Sequence, residues 1–140
     1  MKNLRSVVAV CAVILFVWLF YGTALADQKQ GTEESKGFSA AKQLEGRWLR
    51  EDGGYMLDLQ DIRPDGSLKA FYFNPRNINV HEANWKFEDE RLLLYVELRD
   101  VNYPGSNYTL MYRASQDLLW GSYFQAVQKQ TMDVKFVRMK

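Results

Sequence analysis

The chain is nearly devoid of the residues that staple or catalyse. Of its 140 residues one is cysteine, Cys11, and one is histidine, His81. A lone cysteine forms no intrachain disulfide, so the fold must be held by packing. One histidine without cysteine partners makes no zinc-type cluster. It also makes no triad, which needs a placed nucleophile. No phosphate loop, catalytic motif, internal repeat or long helix pattern is present. Net charge is scarce too, at +1, which argues against a nucleic-acid partner or a polybasic membrane clamp.

Long apolar runs are also rare, with one exception near the start. Lys2 and Arg5 precede an apolar stretch from Val7 to Tyr21, and Ala24-Leu25-Ala26 follows. The run is shorter than the about 20 residues that a membrane helix wants. The pattern is that of a signal peptide over 1–26, cleaved after Ala26, and it implies a periplasmic or secreted protein. An uncleaved anchor is the alternative. Cleavage would remove Lys2 and Arg5 and no acid, turning the net charge to −1. Residues 27–38 are polar and aperiodic and read as a disordered leader. Residues 39–140 read as one domain. It opens on a helical turn with Ser39 as cap and Gly46 as stop.

What the chain does have is alternation. Strands are expected near 46–51, 54–62, 67–73, 78–88, 91–99, 106–113, 117–125 and 130–139. Tyr55/Leu57/Leu59, Leu92/Leu94/Val96/Leu98, Tyr108/Leu110/Tyr112 and Met132/Val134/Phe136 each share one parity, the period of a half-buried sheet. The fourth strand changes phase. Ile78 and Val80 lie on one parity, Ala83, Trp85 and Phe87 on the other, so a bulge is expected near His81-Glu82. Eight antiparallel strands with short links make an up-and-down meander, and closing it into an all-β barrel removes both edges. Alternate links then share an end. One end has the tight turns Pro64-Asp65-Gly66, Glu88-Asp89-Glu90 and Ser115-Gln116-Asp117. The other has the richer links Asp52-Gly53, Asn74 to Asn77, Asp100 to Gly105, and Gln125 to Lys129. If the last strand pairs with the first, Arg138 comes near Trp48 at the plain end.

Gly46-x-Trp48 opening the first strand, with Arg138 on the last, resembles the calycins, the superfamily of lipocalins and avidins. There the arginine packs over the tryptophan and closes the barrel bottom. The resemblance covers most of residues 40–140. It departs from lipocalins in lacking their C-terminal helix, disulfides and other loop motifs, and no avidin-like biotin site maps onto it. It is most similar to minimal exported bacterial β-barrel proteins without assigned activity.

The functional expectation is therefore a ligand-binding module rather than an enzyme, with no cofactor and no metal. A small, partly apolar or amphipathic ligand would enter at the elaborated end, rimmed by Asn74, Arg76, Asn102, Tyr103, Gln125 and Gln128 above Tyr108 and Tyr123. Inward tyrosines give apolar walls with polar points. The alternative is a barrel filled by those tyrosines and serving a structural or protein-interaction role. For an enzyme, only Arg76, Asp100 and Tyr103 assemble at the mouth. Asp58, Glu82 and Glu97 fall on outward parities and read as solvated, and His81 reads as a strand residue at the bulge. Leu93, Tyr95, Met111, Leu118, Trp120 and Phe124 also point outward on three adjacent strands. That patch implies a homo-oligomer through Tyr95, Met111 and Trp120. A parity slip on the seventh strand would instead turn Trp120 inward.

Overall fold

The structure is a computed structural model that describes residues 31–140. The expected signal peptide and the start of the leader lie outside that range. Residues 31–41 are helical, so the helix starts well before Ser39, and residues 31–38 are not the disordered leader expected. A 3-10 turn, Lys42–Leu44, leads into nine strands. These are β1 Gly46–Arg50, β2 Met56–Gln60, β3 Lys69–Asn74, β4 Arg76–Ile78, β5 Val80–Glu88, β6 Arg91–Asp100, β7 Tyr103–Arg113, β8 Leu118–Gln125 and β9 Gln130–Arg138. All pairs are antiparallel, in the order β4-β3-β2-β1-β9-β8-β7-β6-β5. The result is a nearly closed up-and-down barrel.

The count is nine because the expected fourth strand splits at Asn79. β4 folds back on β3 across Pro75, with Asn74 opposite Arg76, and β5 departs to pair with β6. The expected bulge is present between Val80 and Glu82. Beyond β4, the sheet closes through one isolated bridge, Ser67 to Asn84. The tight turn before β3 makes that closure. Gly66 sits at φ 89° and Asp65 caps the Ser67 amide, as a turn ending in glycine requires. Its Gly66 carbonyl accepts from the Trp85 amide at 2.7 Å, and the Arg63 carbonyl accepts from the Trp85 indole at 2.9 Å. Between this clasp and β4 the wall has a shallow slot lined by Leu68, Phe71, Val80 and His81.

Parity propagates around the barrel as the alternation requires. Leu57, Leu59, Leu94, Val96, Leu98, Leu110, Leu119, Val134 and Phe136 are buried. Leu119 and Tyr123 face in, while Trp120 is 40% exposed, so the seventh expected strand has no parity slip. Not every outward acid is solvated. Asp58 is buried beneath Arg47, and Glu97 is held by Arg99 and Tyr95.

The plain end is locked by Trp48. Its Cα partner on β9 is Arg138, whose guanidinium lies 4.1 Å from the indole centroid. Arg138 donates to the Gln43 and Glu45 carbonyls and to Asp117, and the Trp48 indole donates to the Leu44 carbonyl. Glycine is needed at 46 because its φ is 126°, and a Cβ there would lie 3.1 Å from the Arg138 guanidinium. Ala41, Leu44 and Phe38 complete the plug. Truncating the indole removes the stacked cation and leaves a large cavity. Trp48→Ala should therefore cost about 3–5 kcal/mol in urea denaturation. A variant as stable as wild type would show that the barrel does not depend on this residue.

Candidate functional site

Large apolar side chains are fully buried at the Trp48 end, and a hollow lies at the other. A cavity of about 250 Å³ opens there, lined by Arg50, Tyr55, Tyr72, Asn74, Asn102, Tyr103, Tyr123, Gln125 and Met132. Its position follows from strand parity. Two residues beyond Trp48, the β1 side chain again points inward, and that side chain is Arg50. Tyr72 and Asn74 end β3, Tyr123 and Gln125 end β8, and Met132 begins β9.

The rim is tighter than the sequence implied. Asp100 pairs with Tyr103, so the β6–β7 link is Val101 and Asn102 rather than a loop to Gly105. Gly105, at φ 94°, is the extra residue between two register pairs, Leu98 with Ser106 and Arg99 with Pro104. This is a bulge that only a residue comfortable at positive φ accommodates. Tyr103 lies just beyond it, where its hydroxyl accepts from the Asn74 amide at 2.6 Å.

Of the expected ligand residues, Asn74, Asn102, Tyr103, Tyr123 and Gln125 line the cavity. Tyr108 is fully buried beside it, stacked on Tyr123 at 4.5 Å. Arg76 and Gln128 are exposed and do not line it. Arg76 sits on β4 opposite Asn74 across the Pro75 turn, exposed and outside the cavity lining. Asp100 pairs with Tyr103 across the turn, feels the charge of Arg76, and caps the Asn79 and Val101 amides. Among the described residues, no three His, Cys, Asp or Glu side chains are grouped to hold a metal.

The residue that sequence reasoning missed is Arg50, although its parity with Trp48 was the available signal. It is 5% exposed. Its guanidinium donates twice to Asp52, and once to the Tyr108 hydroxyl at 3.0 Å. Its face lies 3.8 Å from the Tyr55 ring centroid and 5.6 Å from that of Tyr123. Burial works against the charge, but Asp52 and Tyr108 outweigh it and hold the guanidinium more firmly protonated than a free arginine. Tyr108 in turn meets the Tyr72 hydroxyl at 3.0 Å. Burial pushes both phenols well above their ordinary range, so they are neutral hydrogen-bonding groups at any working pH. The arrangement has one fixed positive charge, a relay of hydroxyls and aromatic walls. It can orient a polar head and bury a small apolar body.

No family model matches the chain, and no match is found among curated proteins or among solved structures.

Removing the Tyr108 hydroxyl keeps the ring stack but takes a partner from both Arg50 and Tyr72. Tyr108→Phe should therefore lose about 1–3 kcal/mol. The check is the urea midpoint, with an unchanged midpoint counting against a structural Arg50–Tyr108–Tyr72 relay.

Proposed function

We propose that this protein is an exported, calycin-like binding module that takes a small, partly apolar ligand at the Arg50 end of its barrel. The observation that carries the reading is the cavity of about 250 Å³, in which aromatic walls converge with Asn, Gln and Arg side chains. A paired, buried arginine beside the hollow supplies a fixed charge that can orient a ligand. The filled-core alternative is supported by the Trp48 end, where the large side chains are fully buried. Export is supported by the order of Lys2, Arg5, the Val7–Tyr21 run and Ala24-Leu25-Ala26. The calycin-like reading is supported by the barrel topology together with the Gly46, Trp48 and Arg138 constellation. The chain acts without catalysis in this reading.

Thermal-shift screening against lipids, aromatic compounds and periplasmic metabolite extracts tests the module. A stabilising compound should be found, and Met132→Trp, which fills the cavity from β9, should abolish its effect. No stabilising compound, or one whose effect survives the filled cavity, would contradict the reading.

A second copy of the chain is the proposed partner of the outer wall. Leu93, Met111 and Trp120 stand opposite one another across β6, β7 and β8, and Arg113 covers Trp120 at 4.6 Å. Tyr95 lies next along β6, half-buried. Such a row suits a self-complementary two-fold contact. Light scattering should give a dimer or larger for wild type and a folded monomer for Trp120→Glu. A wild-type protein that is monomeric at high micromolar concentration would remove this proposal.

A further inference from the structure

Among the described residues, Arg50 is the only charged side chain that lines the cavity. It is also immobile, being 6% exposed in its side chain and clamped between the Tyr55 face and the Tyr108 hydroxyl. Its acid partner differs in both respects. Asp52 has a side chain 55% exposed, sits on the turn between β1 and β2, and does not line the cavity. Losing it to water costs Asp52 little, whereas Arg50 stays in place and must find another anion. The bonds to Asp52 and Tyr108 do not exhaust the donors of a guanidinium.

We propose that the cavity selects a small monocarboxylate, whose carboxylate meets Arg50 from the cavity side in competition with Asp52. The proposal rests on the reading that this cavity takes a ligand. Asp52 is then an internal stand-in, holding the fork of the guanidinium in the geometry that a planar carboxylate needs. The charge count favours a monoanion over a phosphate. One cation already shares one acid, so the pair is neutral, and a doubly charged ligand would leave more uncompensated negative charge than a monoanion. The volume is below that of ordinary drug-sized pockets, which run from about 300 Å³ upward. A short acyl or single-ring body fits, lying against Tyr55, Tyr123 and Met132. The neutral amides of Asn74, Asn102 and Gln125 and the hydroxyl of Tyr103 stand at the mouth and add no competing charge.

Isothermal titration of the full chain with benzoate, benzamide and inorganic phosphate tests this. Benzoate should bind at least about tenfold more tightly than benzamide, since a charge-assisted pair replaces a neutral one. Phosphate should bind more weakly than benzoate. Arg50→Gln should erase the preference for the acid. Should that variant fail to fold, Asp52→Asn decides, because its side chain is over half exposed. It removes the competitor and should tighten benzoate by about tenfold while leaving benzamide unchanged. Equal binding of benzoate and benzamide, preference for phosphate, or benzoate affinity unmoved by Asp52→Asn would overturn the proposal. Equal binding of the acid and the amide would leave the binding module standing. Binding of none of the three would overturn the carboxylate proposal and count against the module as well.

Discussion

Arg138 stacked on Trp48 is the contact from which the rest of the barrel takes its geometry. It joins the last strand to the first, so it removes two sheet edges at once. The same guanidinium satisfies the carbonyls of Gln43 and Glu45, which end the 3-10 turn and would otherwise lie without partners. Fixing Trp48 inward also fixes every second residue of β1. Arg50 is thereby committed to the interior, although a charged side chain is among the least expected occupants of a core.

That commitment explains the gradient along the barrel axis. Near Trp48 the interior is aromatic and aliphatic, with Trp48, Leu44, Leu57 and Leu119 fully buried. Toward Arg50 the packing must give way to groups that can solvate a charge. Tyr108, Tyr72 and Asp52 perform that task, and among the described residues no buried side-chain nitrogen or oxygen is left without a partner. Satisfying the guanidinium demands polar groups at defined angles, and rings arranged around it leave space between them. The cavity lies where the core changes from packed hydrocarbon to groups that solvate a charge.

Period-two alternation made most of the fold legible in the sequence. It placed the inward residues of β2, β6, β7 and β9, the bulge after Val80 and the closure of Trp48 on Arg138. The contrast between tight and richer links pointed to the end where Asn74, Asn102, Tyr103, Tyr123 and Gln125 line the cavity. Three features were harder to read. The split at Asn79 depends on a hairpin across Pro75 that local alternation does not reveal, and it puts Arg76 on a short strand of its own. The bulge at Gly105 depends on cross-strand register, which no single strand encodes. Arg50 was passed over because charge suggests the surface, although its parity with Trp48 said otherwise. The helix over residues 31–38 was missed for a different reason. It carries few apolar positions until Phe38, so the hydrophobic period that reveals a helix is absent from its start.

The central claim is a barrel locked at Trp48 and open at Arg50, and native-state hydrogen exchange tests it most directly. Amides of Trp48, Leu57 and Leu119, at the locked end, should exchange only through global unfolding. Amides of Gly53, Asn102 and Val127, on the turns around the mouth, should exchange through small local openings at rates that denaturant barely changes. Comparable protection at both ends, or faster exchange at Leu57 and Leu119 than at the mouth, would contradict the account.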